Sequence, residues 1–97
     1  MDQKKFNIIF APSAERDINR FPAEAGMQLV KDIRLYLESS PLEFRKTRIK
    51  KLTGFSPPLY RLRSGDFRAY YRIIGRTVVI LAITHKKDSA KFLKSLA

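Results

Sequence analysis

Three arginines, Arg61, Arg63 and Arg68, fall within one eight-residue stretch, and a second cationic run, His85-Lys86-Lys87, follows it. Guanidinium groups clamp and neutralise a phosphate bidentately, but they hardly deprotonate and so carry protons poorly. Lysine crowded by other cations can act as a base. Histidine is the side chain whose ordinary pKa lies near neutrality, and His85 is the only one in the chain. Together these types suit RNA cleavage without a metal. In that reaction the 2′-hydroxyl loses a proton, the phosphorane gains negative charge, and the leaving 5′-oxygen takes up a proton. Arg61, Arg63, Arg68, His85 and Lys86 are therefore the candidate catalytic set. A histidine at a strand end also commonly serves as a hydrogen-bond partner for the backbone.

A second basic set comprises Arg45, Lys46, Arg48, Lys50 and Lys51, five cations in seven positions. Charge runs of this kind are often only a solvated face. Beside the first set they read as RNA contacts, with Lys87 and Phe92 added from the C-terminal end. The balance of charge points the same way. The chain has 97 residues and a formal net charge of +11, unevenly spread. Residues 1–43 carry six Lys/Arg against seven Asp/Glu, whereas residues 44–97 carry fourteen against two, Asp66 and Asp88. A self-repelling half of this sort fits a polyanionic partner.

Several function classes drop out. The chain lacks cysteine, which removes disulfides and thiolate metal sites. One histidine cannot build the clusters that hold catalytic zinc. No metal or cofactor is expected. No apolar run approaches a membrane span and no signal peptide is evident, so a cytoplasmic protein is expected. The length suits a single domain over residues 1–97.

The elements that must position these side chains can be read from periodicity. Residues 4–10 read as a first strand, rich in β-formers. Ser13 can cap a short helix marked by Ile18 and Phe21, which ends at Phe21-Pro22. A second helix runs from Pro22 to about Ser39. Its apolar stripe is Met27, Val30, Ile33 and Leu37, flanked by Leu29 and Tyr36. Residues 42–58 read as a connector. Leu59–Ser64 alternates, with Tyr60 and Leu62 on one face and Arg61 and Arg63 on the other. After a Gly65-Asp66 turn, Phe67–Ile74 places Phe67, Ala69, Tyr71 and Ile73 on one side and Arg68, Tyr70 and Arg72 on the other. Gly75-Arg76 turns the chain again. Thr77–Thr84 is apolar on both faces, as an interior strand should be. Asp88 can cap a final helix bearing Phe92, Leu93 and Leu96. The expected fold is α+β: a helical hairpin on a four-stranded antiparallel sheet, in the order β-α-α-β-β-β-α. Arg61, Arg63, Arg68, His85 and Lys86 should line one concave face of that sheet.

Three segments carry a resemblance: Lys51-Leu52-Thr53-Gly54; Leu59 to Tyr71, with its Tyr60-Arg61-Leu62-Arg63-Ser64-Gly65-Asp66-Phe67-Arg68 core; and Val78 to Asp88. The chain resembles the RelE/ParE toxin superfamily, whose pattern is K-L-x-G, then Y-R-L-R-x-G-D-Y-R-x-x-Y, then H-R. The likeness extends over essentially the whole chain, and the arginine-bearing segment is its most specific part. It implies a toxin of a type II toxin–antitoxin pair, whose partners are a cognate antitoxin, the ribosome and mRNA. RelE-like members cut mRNA in the ribosomal A site with the 2′-hydroxyl as nucleophile. Carried over by position, Arg61 and Arg63 match the paired basic residues, Arg68 the phosphate-stabilising arginine, and Lys86 an arginine common in the family. His85 matches a histidine found in part of it. The active ribonucleases often carry a C-terminal tyrosine where this chain has Phe92, which can stack but has no hydroxyl. The resemblance also implies two alternatives, a ParE-like poison of DNA gyrase without nuclease activity and a non-catalytic RNA-binding relic.

Overall fold

The computed structural model describes residues 5–42 and 48–96. In chain order the elements are β1 (Asn7–Phe10), α1 (Pro12–Arg20), α2 (Ala23–Leu37), β2 (Ile49–Leu52), β3 (Leu59–Ser64), β4 (Phe67–Ile74), β5 (Thr77–His85) and α3 (Ser89–Leu96). The fold is α+β, as expected, but the sheet has five strands in the order β1-β5-β4-β3-β2. The strand missed in the sequence is β2, inside what reads as a connector. Its Lys50 and Lys51 hide the strand signal, and lysines are what an open sheet edge carries to discourage pairing with other chains. Nor is the sheet wholly antiparallel, because β1 pairs parallel with β5, Asn7 to Thr77 through Phe10 to Ile80.

The alternation in β3 and β4 holds. Leu62, Ala69 and Tyr71 join Ile33, Leu29, Leu37, Val78 and Ile80 in the main core beneath α1 and α2. Each leucine, isoleucine or valine among them contributes about 1.5–3 kcal/mol by leaving water. Gly65 and Gly75 hold the two hairpin turns at φ 58° and 60°, the left-handed region that two-residue loops demand. β5 gives no alternation to follow, and its register slips: Tyr70 faces Ala82 while Tyr71 faces Ile80, leaving Leu81 over. This bulge lets Ile80 and Ile83 both reach the main core, while Leu81 and Ala82 turn to a second cluster on the opposite face. That cluster adds Leu59, Tyr70, Phe55 and Leu52, and is covered by Phe92 and Leu93 of α3. The sheet is thus flanked by the helical hairpin on one side and α3 on the other.

Two local expectations are corrected. Ser13 does not cap α1, whose N-cap is Ala11 without a side-chain hydrogen bond. Its hydroxyl donates instead to Leu81 O at 2.6 Å, while Asp17 Oδ2 accepts from Ile83 N at 2.8 Å. β1 ends opposite Ile80, so α1 satisfies the edge of β5 that lies beyond it. The buried stripe of α2 is Gly26, Leu29, Ile33 and Leu37, and Met27 is 72% exposed. A Cβ on Gly26 would meet Ile18 Cγ2 at 3.4 Å, so the two helices cross closely at that point. A 3-10 turn, Lys86–Asp88, precedes α3, and the His85 ring caps that turn by accepting the Lys87 N–H at Nδ1, 3.2 Å away.

Candidate nucleic-acid interface

β3 and β4 are held in register by five pairs, in which Arg63 stands opposite Arg68 and Arg61 opposite Tyr70. On the far side of β3, Lys50 of β2 stands opposite Arg61. Period-two alternation therefore puts Lys50, Arg61, Arg63, Arg68 and Tyr70 on one sheet face, away from α1 and α2. Thr84, opposite Arg68 on β5, continues the row. Burial first, and then the guanidiniums of Arg61 and Arg63, lower the Arg68 pKa from its ordinary value, with Tyr70 and Asp66 acting in the opposite sense. The Arg68 guanidinium is steadied by the carbonyls of Gly65 and Phe67, at 3.1 and 2.9 Å from Nη1. Like charges set directly across a ladder weaken it. The arrangement is one that a phosphate relieves by accepting hydrogen bonds from more than one guanidinium.

The remaining sequence candidates divide. Lys86 lies beside the β3–β4 turn, with its backbone N–H on Asp66 O at 2.7 Å and Nζ 3.3 Å from Asp66 Oδ1. Both side chains are more than half exposed, so the pair adds little stability. His85 does not share the arginine face. It is paired with Phe67, edge-on with ring centroids 5.5 Å apart, at the end of the strand on the helix side. With Nδ1 accepting from Lys87, its neutral ring carries the proton on Nε2. Arg48 is engaged by the fold: its Nη1 donates to Arg63 O at 3.0 Å, and its guanidinium lies 4.7 Å from the centroid of the Tyr36 ring. Lys51 is exposed but stands opposite Tyr60, on the other face from Lys50. Lys87 is exposed at the 3-10 turn. Arg45 and Lys46 lie outside the described residues. Phe92 does reach the arginine face, where its ring centroid is 4.8 Å from that of Tyr70.

Sequence reasoning passed over Tyr70 and Asp17. Alternation placed Tyr70 between Arg68 and Arg72 on the outward side, which was the available signal. Tyr70 is fully buried there under α3. Nothing local marked Asp17 as the residue that seals a strand edge 66 positions away. Among the described residues there is no group of acidic or histidine side chains that could hold a metal ion, and no helix long and apolar enough to cross a membrane.

The family described as "ParE toxin of type II toxin-antitoxin system, parDE" matches residues 8–90. Toxin RelE3 of Methanocaldococcus jannaschii is 26% identical over 81 residues, spanning 84% of this chain and 91% of that protein. The toxin–antitoxin complex RelBE2 of Mycobacterium tuberculosis contains a chain similar at TM-score 0.70 and 27% identity, over 84% of this chain and 98% of that one. A chain of the archaeal RelE–RelB complex from Pyrococcus horikoshii shares the fold, at TM-score 0.68 and 23% identity over 84% and 94%.

Proposed function

Because the chain belongs to the RelE/ParE superfamily of type II toxin–antitoxin toxins, by a family match over residues 8–90, we propose that it arrests translation as a ribosome-dependent mRNA endoribonuclease. The observation that carries this reading is the facing pair Arg63 and Arg68 with Arg61 alongside. In the proposed reaction the 2′-oxygen bonds to phosphorus as the bond to the 5′-oxygen breaks, giving a 2′,3′-cyclic phosphate and a 5′-hydroxyl. Arg61, Arg63 and Arg68 neutralise the charge that builds on the phosphorane. Lys50, opposite Arg61 on the same face, and Lys86, beside the β3–β4 turn, are the groups to which this reading assigns proton exchange with the 2′- and 5′-oxygens. Lys87, exposed at the 3-10 turn, extends the same positive field along the RNA strand. His85, on the other side of the sheet, holds the 3-10 turn that presents Lys86.

The two structural relatives named above were solved as toxin–antitoxin complexes, which supports an antitoxin as this chain's partner. An acidic segment laid across the basic half would neutralise fourteen cations that have two acids for company. Its binding should weaken steeply with salt.

The test is in vitro translation with primer extension on the message, run beside a gyrase supercoiling assay. Cuts within the A-site codon that vanish with Arg68→Ala support the nuclease. A second reading has its own observation, since the matching family is named for ParE and Phe92 lacks the hydroxyl that the ribonucleases often carry there. An intact message with blocked supercoiling would select that gyrase-directed branch, with the basic face serving binding alone.

A further inference from the structure

We propose that the cleft between α1, α3 and the sheet is a nucleobase site, which reads the base of the nucleotide whose phosphate the arginine face holds. The proposal rests on the RNA-directed reading above and adds to it a specificity pocket. The cleft encloses about 620 Å³, with Phe55, Leu59 and Phe92 among its apolar walls and Tyr70 and Arg72 among its polar ones. This is within the usual size of small-ligand sites.

Two polar atoms in that wall are unmatched. The Tyr70 hydroxyl and Arg72 Nε are buried and have no hydrogen-bond partner among the described residues, and Tyr70 as a whole is 0% exposed. An unmade buried hydrogen bond is a penalty that stability alone does not favour, and phenylalanine would fill the same space without it. Both atoms sit on β4 on the arginine face. Tyr70 is the cross-strand partner of Arg61 and lies two residues beyond Arg68, about 7 Å along the strand. That offset is of the order of the reach from a nucleotide's phosphate to its base.

The chemistry of the walls selects the occupant. An apolar side chain would stack on the rings yet leave both polar atoms unmade. A nucleobase brings a flat π-face for the aromatic walls together with donors and acceptors on its edge. Entry requires Phe92 to move off the Tyr70 ring. α3 allows this, being eight residues long with no fully buried side chain. The base then takes the place of the Phe92 ring on Tyr70 and meets the hydroxyl and Arg72 Nε with its edge.

The experiment titrates the full-length protein with adenosine, guanosine, cytidine and uridine 3′-monophosphates, followed by NMR, for wild type, Tyr70→Phe and Arg68→Ala. One nucleotide should bind about tenfold tighter than the weakest, the scale of one hydrogen-bonded base edge. Tyr70→Phe should narrow the spread to about twofold without lowering the Tm, whereas Arg68→Ala should weaken all four alike. Equal binding of the four by wild type, absence of binding, a preference that survives Tyr70→Phe, or a lowered Tm in that variant each overturns the site. The titration needs no ribosome, so the two readings fail separately. Message cleavage that depends on Arg68 but keeps its positional preference in Tyr70→Phe removes the pocket and leaves the nuclease. A base preference without message cleavage does the reverse.

Discussion

Arg63 and Arg68 face one another directly across the ladder of β3 and β4, with Arg61 on the same face and Lys50 beyond it. The hairpin is tied down from the other side, where Ser64 Oγ donates to Asp32 Oδ2 of α2 at 2.7 Å. Gln28 in turn holds Asp32 Oδ1 at 3.0 Å. The repelling pair is therefore mounted on a strand end that the helical hairpin anchors, and the repulsion persists until an anion meets it.

Neutralising one member should separate binding from stability. Arg63→Gln is expected to raise folding stability by about 0.2–1 kcal/mol, since a like-charge pair is removed from an exposed ladder position. The same change should weaken binding to single-stranded RNA and make the dependence of log Kd on log salt shallower by about one contact. Urea denaturation and a salt series of filter-binding curves check both. A drop in stability would mean that Arg63 is paired in the fold.

Arg68→Ala should cut message cleavage by about a hundredfold to a thousandfold, the usual effect of losing one preorganised group that stabilises transition-state charge. Stability should change by less than about 1 kcal/mol, because its two carbonyl contacts lie at a turn within reach of water. Single-turnover kinetics on programmed ribosomes measures the first expectation and thermal melting the second.

Phe92→Tyr restores a hydroxyl to the ring that covers Tyr70. Cleavage is expected to stay level or rise, and folding stability to change by no more than about 1 kcal/mol, as for ordinary half-buried substitutions. A loss of cleavage in this variant would show that the bare ring, rather than a proton carrier, is what the site uses.

Removing the carboxylate of Asp17 leaves Ile83 N without its partner. Asp17→Ala should destabilise the fold by about 1–3 kcal/mol. It should also make the purified protein prone to self-association, because the uncovered half of β5 becomes a pairing edge. Urea denaturation and size-exclusion chromatography at several concentrations test this. Ser13→Ala should show a weaker form of the same behaviour, through Leu81 O.

Tyr71 gives an alkaline signature. Burial, followed by the neighbouring Tyr60, raises its pKa above the ordinary tyrosine value. Below about pH 10 it is protonated in both folded and unfolded chains. Above that, the unfolded chain releases the proton while the folded one retains it, so stability falls as pH rises. Tyr71→Phe should lose about 1–2 kcal/mol near neutrality, since Tyr71 Oη donates to Pro41 O at 2.7 Å in the interior. It should then show a shallower decline between about pH 9 and about pH 11 than wild type.

What the sequence determined by itself was everything that repeats at short range. The period of two in β3 and β4, with glycines at the left-handed turn positions, assigned Arg61, Arg63 and Arg68 to one face before any coordinates. It did so because a pleated strand turns successive side chains to opposite sides whatever surrounds it. The motif spacing in the same segment gave the superfamily. Tertiary structure decided the rest. β2 became a strand only because β3 offered it an edge, and its lysines concealed that beforehand. β1 joined β5 in parallel through contacts some seventy residues apart, a pairing that no local pattern encodes. β5, apolar on both faces, carried no signal for its own bulge, so the side on which His85 would emerge was open until the sheet closed. The strand turned His85 toward Phe67 and away from the arginines, and the packing of α3 left the Tyr70 hydroxyl buried without a partner among the described residues. Both outcomes follow from long-range packing, which selects among side-chain facings that the local sequence leaves equal.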